Sequence, residues 1–405
     1  MQITKNHILA LCDRVMEYSF YTLLVVVAFS NSLVEIAAVS MISAWVLKMV
    51  IERDLGRLPK VPTVFFLLFL GWVILSCFNS SYSKESFRGV FKVLEQGAVF
   101  FAASSELRHK NIPGKAFFVL ALGAILISVN GFYQYFSGTD LIRHRVLQPD
   151  EAMRRISSSF VHPNDFGVYL MVVCVTLTSV VISRSAKISG RAVAAVSLTI
   201  SSIALLMTRS RGAFLSAAAA FLSLGWLRSR KVLAAFAVIL VAIFVIMPAG
   251  MKKSIVGVAD IHEGTTWERI QLWKGTIEMI KAHPVLGFGI NTYSRNFPDY
   301  KPADYTDVRY SHNCYLHMAA ETGIPGGVLF AGFILSAIVS ASSRLKRLGQ
   351  GFKRDLAAGI IAGMVGFALN SAVDTHLFSV TLSIFFYALL GYSLTLTDDE
   401  KKYRT

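Results

Sequence analysis

Charge is scarce in this chain. Only 16% of its 405 residues are Asp, Glu, Lys or Arg, and 25 acidic residues stand against 40 basic ones. Cysteine is scarcer: Cys12, Cys77, Cys174 and Cys314 form no CxxC pair and no ligand spacing, which excludes a disulfide framework and a zinc site. No carboxylate cluster of the kind that holds a catalytic cation is visible, so no metal and no cofactor are expected. The chain also lacks an internal repeat of fixed period. Its formal excess of +15 is broken into short clusters with no continuous basic face, which argues against nucleic acid as a partner.

What fills the chain instead is apolar: 54% of residues are hydrophobic, gathered in long runs. A span needs about 20 such residues to cross roughly 30 Å of hydrocarbon, because lipid offers no partner to an unpaired backbone N–H or C=O. Runs of this kind lie near 13–30, 33–51, 61–78, 88–106, 115–136, 166–183, 191–208, 212–227, 231–248, 324–343, 355–373 and 376–396. The expected fold is therefore all-α, a polytopic membrane protein of about twelve transmembrane helices surrounded by membrane lipids. The first run follows Lys5 and Arg14 without a small-residue cleavage site and reads as an uncleaved span.

Basic residues orient the bundle, since short cytoplasmic loops retain them. Arg53, Arg57 and Lys60, then Arg108, Lys110 and Lys115, Arg184, Lys187 and Arg191, Arg228, Arg230 and Lys231, Arg344 to Arg354, and Lys401 to Arg404 all fall on one side if both termini are cytoplasmic. Two segments on the opposite side exceed a connector: about 30 residues after Phe136 and about 75 between Met247 and Gly323. The chain thus divides into helices one to nine (1–248), an outer loop holding amphipathic and half-spanning helices (249–323), and three last helices with a tail (324–405).

Three outer features carry chemistry. The connection Thr208-Arg209-Ser210-Arg211-Gly212 puts two cations in a short outer hairpin, where few are expected. Either they reach headgroup phosphates, or they form an anion site to which the planar arginine fork is suited. Residues two apart on a helix point to opposite sides, so one arginine faces the site, and Arg211 is favoured because Gly212 beside it permits close approach. In the long loop, Thr265 with Glu268 reads as a capping box opening a helix whose Ile270, Trp273, Ile277 and Ile280 form an apolar stripe. Arg269 and Trp273 share a face, and Pro284 to Gly289 follows as a flexible turn. Finally, Ser311 is expected to cap a helix that Gly323 and Pro325 stop after roughly 11 residues, or about 16 Å. That half-helix sets His312 at the mouth of the membrane domain, where a neutral imidazole can take a proton, with His317 one turn deeper. Ser159 to Gly167, containing His162 and Asn164, reads as a cap and turn set before the sixth span.

Taken together, these segments resemble the O-antigen ligase and polymerase superfamily of bacterial envelope glycosyltransferases. The resemblance rests on His312-Asn313, nine residues, Gly323, two residues and Gly326, after a large outer loop. Ser210-Arg211-Gly212, Arg269 with Trp273, the Pro284 to Gly289 turn and His162-Pro163-Asn164 join it, and it covers roughly 155–390. It implies a multi-pass protein of the bacterial inner membrane with a periplasmic active site, moving a glycan from undecaprenyl pyrophosphate to an acceptor hydroxyl with inversion and without metal. It further implies His312 as base, Arg211 and Arg269 with Arg209 on the pyrophosphate, and Asn313, His162, Asn164, Trp273, Glu321 and His317 in support. Moderate length leans toward a ligase acting on lipid A-core, with polymerases and protein O-oligosaccharyltransferases as alternatives. Outside this class stand a scaffold whose long loop binds a partner and a lipid or sugar transporter. Transport is disfavoured by apolar spans whose polar groups gather on one side.

Overall fold

The computed structural model describes residues 2–54, 58–147, 154–246, 264–301 and 310–398, and these are helical apart from their connections. The helices are α1 (Gln2–Val26), α2 (Asn31–Glu52), α3 (Lys60–Cys77), α4 (Ser83–Ser105), α5 (Ile112–Ser137), α6 (Pro163–Val181), α7 (Ile188–Thr208), α8 (Arg211–Arg228) and α9 (Arg230–Ile246). They continue as α10 (Gly264–Ala282), the short α11 (Tyr293–Asn296), α12 (Cys314–Leu345), α13 (Phe352–Asn370) and α14 (Val380–Leu396). Arg57 and the Lys401 to Arg404 cluster lie outside the described residues, as does the side chain of Thr265.

Each expected span falls on a helix, yet the count of twelve is not supported. Six helices are long and apolar enough to cross a membrane by length and composition: α2, α3, α5, α6, α7 and α12. The reason is local. α1 and α4 begin with charged turns, α8 is flanked by Arg211 and Arg228, and α13 opens on Lys353, Arg354 and Asp355. α14 has only 17 residues, but all of them from Thr381 to Leu396 are buried by neighbouring helices, so it faces little lipid. α6 is likewise buried on every side, the pattern of a helix at the centre of a bundle. α13 lies against α6 almost backbone to backbone: a Cβ on Gly359 would stand 2.8 Å from the Thr176 Cα. Such small-residue contacts replace the hydrophobic drive that lipid cannot supply.

Loop contacts sort into two ends. At one, Lys48 pairs with Asp13 at 2.6 Å and Glu106 at 2.8 Å, Arg108 with Asp398, and Arg228 with Asp355 at 3.1 Å. At the other, the starts of α6, α8 and α12 meet the end of α13. Cys314 N donates to Ser371 O at 2.8 Å, Asn164 Nδ2 donates to Asp374 Oδ2 at 3.0 Å, and Gly212 lies against Asn370.

The half-helix exists as the first part of α12. Its cap is Asn313 rather than Ser311: Asn313 Oδ1 accepts from Tyr315 N and Leu316 N, both at 3.0 Å, while Ser311 Oγ donates to Asn313 O at 2.8 Å. At Gly323 the backbone turns out of the helix, with φ 75° and ψ 171°, and resumes toward Leu345. Such a break strands the last carbonyls of the first part. Here they are met from outside: Phe288 N donates to Ala320 O at 3.2 Å, Gly289 N to Glu321 O at 2.8 Å, and Trp72 Nε1 to Thr322 O at 2.9 Å. Ile324 N in turn donates to Pro284 O at 2.8 Å. The turn expected to be flexible is therefore a docked brace for the break.

α10 ends where expected, before His283, but packs a different face. Leu272, Thr276 and Met279 are buried against Tyr293, Phe297 and Ala320, whereas Ile277 is exposed. The stripe chosen by helical spacing sits about a quarter-turn from the packed one, because Thr276 turns inward to bond the Tyr293 hydroxyl at 2.7 Å.

A Cβ on Gly323 would lie 1.9 Å from the Val285 carbonyl oxygen, at a φ that side chains avoid. Gly323→Ala is therefore expected to cost at least about 2 kcal/mol. The check is apparent melting temperature in detergent, and an unchanged value would mean that the break adjusts freely.

Candidate active site

Asp374, in the connection between α13 and α14, is the point where the outer segments meet. It is 8% exposed, and its carboxylate is surrounded. His312 Nδ1 lies 3.0 Å from Oδ1, the Thr375 N–H donates to the same oxygen at 2.9 Å, and Asn164 Nδ2 donates to Oδ2 at 3.0 Å. An Arg269 guanidinium nitrogen lies 3.4 Å from Oδ2. Burial by itself raises this carboxyl, but the charge of His376, the His312 hydrogen bond and charge, and Arg269 together hold it well below the usual carboxylate range.

The tautomer of His312 follows. An ionised carboxylate only accepts, so Nδ1 carries a proton whether the ring is charged or neutral, and in the neutral ring the lone pair falls on Nε2. His312 also has a left-handed backbone, with φ 51°, one residue before the Asn313 cap. Its side chain is 39% exposed, which leaves the ring edge accessible. The arrangement is that of a carboxylate-oriented base.

A second layer fixes Asp374. His376 is buried, with Nδ1 2.8 Å from Asp165 Oδ1 and Nε2 2.9 Å from Asn370 Oδ1. Asn370 Nδ2 donates to Ser216 Oγ at 2.7 Å, so its carbonyl oxygen faces the imidazole. Both ring nitrogens thus address acceptors, as an imidazolium requires. Burial lowers this imidazole, but Asp374 and Asp165 outweigh it and raise it above its ordinary value. Arg155 spans the rim, donating to Thr208 O and to Asn164 Oδ1, each at 2.9 Å.

The residues singled out in the sequence divide between places. His312, Arg269 and Asn164 share Asp374, and Asn313 caps the helix that carries His312. Arg211 opens α8 with an exposed side chain, next to Gly212, which packs against Asn370 and Val373. Arg209, left-handed at φ 49°, is exposed on the same hairpin. His162 is exposed at the N-cap position of α6 and makes no capping hydrogen bond. Trp273 is half-buried on α10. His317 and Glu321 are elsewhere: they pair at 3.5 Å deep under α12, with the imidazole between the rings of Tyr293 and Phe378, each at 4.1 Å. Sequence reasoning missed Asp374, His376, Asn370, Asp165 and Arg155. Two ionisable residues between adjacent apolar runs were the available signal, since such groups are retained near membranes for use.

Fold and site together define a helical membrane protein in which a buried carboxylate at the less basic end holds a histidine and an arginine. Residues 195–331 match the family model described as O-Antigen ligase. That match covers about a third of the chain and supports the resemblance to the O-antigen ligase superfamily drawn from the sequence. No curated protein matches the chain. The matched stretch contains His312, Arg269, Arg209 and Arg211, while Asp374 and Asn164 lie outside it.

The two shifted groups of this site respond oppositely to pH. A carboxyl held low stabilises the fold above its ordinary range and loses that contribution only as pH falls through the lowered value. An imidazole held high stabilises fully below about 6.5 and loses that contribution as pH rises through its raised value. The apparent melting temperature in detergent is thus expected to decline as pH rises from about 6.5, and His376→Gln to flatten that decline. Identical profiles for both proteins would remove His376 from the charge network.

Proposed function

We propose that the chain is a glycosyltransferase of the bacterial inner membrane, with both termini cytoplasmic and its site at the periplasmic face. On this reading it transfers a glycan from undecaprenyl pyrophosphate to a sugar hydroxyl of lipid A-core. The basic loops support the orientation, because they gather at the end opposite Asp374.

In the proposed step, His312 Nε2 takes the proton of the acceptor hydroxyl as its oxygen attacks the anomeric carbon. The bond from that carbon to the pyrophosphate oxygen breaks, with inversion, and undecaprenyl pyrophosphate departs with the electron pair. Asp374 stabilises the imidazolium that forms. Arg269 and Arg211, with Arg209 on the same hairpin, receive the charge that accumulates on the leaving group. Asn313 holds the end of the half-helix and Asn164 holds Asp374. The observation that carries the reading is the hydrogen bond from His312 Nδ1 to a carboxylate kept ionised, 3.0 Å long, with a guanidinium on the same carboxylate.

The test is reconstitution of purified protein with lipid-linked glycan and, separately, rough lipopolysaccharide, a second lipid-linked glycan, or a pilin-like protein. Extension of lipopolysaccharide alone is expected; extension of one of the others instead moves the acceptor assignment. His312→Ala and Asp374→Asn are each expected to lower kcat by about 10²- to 10⁴-fold. Transfer at the normal rate by His312→Ala would sink the base assignment. Arg269→Lys keeps the charge but loses the fork, so the donor KM is expected to rise by about tenfold or more; an unchanged donor KM would take Arg269 off the pyrophosphate.

A further inference from the structure

Behind the half-helix lies a cavity of about 370 Å³, within the range of small-molecule sites. It is walled by α4, the 290–294 segment and the first part of α12, and its lining residues Tyr310 and Leu377 stand two and three residues along the chain from His312 and Asp374. His317, on α12, lines the cavity, whereas His312 precedes the cap of that helix.

The lining is mixed in a specific way. Aromatic rings come from Tyr310 and Phe378, with Tyr293 behind them stacked on His317 and Phe297, and hydrogen-bonding groups come from Gln96, Asn291 and Glu321. Lys92 also lines it, its ammonium donating to Asn291 Oδ1 at 3.0 Å, and the Glu321 carboxyl, which accepts from Tyr293 N at 3.0 Å, lines it too. Among the described residues no arginine lines this space. Two of its most buried side chains are incompletely bonded. His317 and Glu321 are 3% and 1% exposed, and among the described residues His317 Nδ1 and Glu321 Oε2 have no hydrogen-bond partner. A buried polar atom left so costs about 1–3 kcal/mol, which a fold retains where a ligand uses it.

We infer that this cavity is a carbohydrate subsite: it seats a neutral sugar ring of the acceptor, stacked on the aromatic faces and hydrogen-bonded through its hydroxyls to Gln96, Asn291 and the His317–Glu321 pair. The inference rests on the transfer reading above and adds to it where the acceptor sits. A diphosphate is the wrong occupant, because the charges of Lys92 and Glu321 cancel. An isoprenoid tail is equally unsuited, since it would leave a carboxylate against hydrocarbon.

The test measures binding rather than transfer. The probes are a delipidated oligosaccharide from rough lipopolysaccharide and undecaprenyl pyrophosphate without sugar, each titrated into the full-length detergent-purified protein. Glu321→Gln, Gln96→Ala and Ser294→Trp, the last filling the exposed edge of the cavity, are each expected to weaken oligosaccharide binding about tenfold or more. Undecaprenyl pyrophosphate affinity should stay unchanged in all three. Unaltered oligosaccharide affinity across the three variants, or no oligosaccharide binding by the unmodified protein, overturns the subsite. So does loss of undecaprenyl pyrophosphate binding in Ser294→Trp, which would give the cavity to the donor. His312→Ala separates the two readings: retained oligosaccharide binding supports the subsite whatever that variant does to transfer.

Discussion

A carboxylate cannot be taken out of water unless something pays its desolvation, and Asp374 is taken out almost completely. Its partners come from three segments distant in the chain, Asn164 at the start of α6, Arg269 on α10 and His312 before α12, and from His376 in its own loop. Losing any of these strands part of a buried charge, so the carboxylate holds the outer ends of the bundle in one arrangement. Polar anchoring of this kind matters more here than in a soluble fold. Between helices surrounded by lipid there is no hydrophobic gain to be had from association, and close packing and hydrogen bonds must serve instead.

The break at Gly323 extends that constraint to the loop. Interrupting a helix inside a membrane protein exposes backbone carbonyls that lipid cannot satisfy, so the break exists only where other protein groups reach it. Phe288, Gly289 and Trp72 do so. The brace begins at Pro284, two residues beyond the end of α10, whose other end bears Arg269. The device that stops the half-helix therefore also fixes the direction of α10. His312 and Arg269 are set relative to each other from both sides, by the brace at one end and by Asp374 at the other.

This explains which parts could be seen in the sequence. Long apolar runs locate helices because lipid imposes length and composition together, and all twelve runs fall on helices. Whether each run crosses is a separate matter: the buried α14 is governed by its neighbours, not by lipid. Gly323 was visible because a positive φ followed by a nearby proline leaves few alternatives to a break. The cap was misplaced by two residues, since Ser311 and Asn313 are equally good caps and only the local fold chooses. The buried face of α10 was misjudged for a related reason: Thr276 is polar by type but turns inward to a hydroxyl partner far along the chain. Asp374 could not be assigned a role, as its partners lie 62, 105 and 210 residues away in sequence. Spacing arguments work within an element and have no purchase on such pairs.

Charge at the outer end decides what the site can hold. Arg269 and the raised imidazole of His376 lie against Asp374 and Asp165, Arg155 is bonded to Asn164, and Arg209 and Arg211 are exposed on the α7–α8 hairpin. Asp374 alone does not neutralise Arg269, because their contact is a single one at 3.4 Å and the guanidinium fork has five donors to place. Arg155 donates to the Thr208 carbonyl and to the Asn164 amide oxygen, which fixes it at the rim. On the transfer reading proposed above, the end of the bundle that the positive-inside rule would leave poor in cations carries a surplus of them beside the base. A neutral leaving group would gain nothing from that surplus. An anionic one, released beside a base that has just become an imidazolium, gains most as its bond breaks, and this is the stage at which stabilisation accelerates transfer.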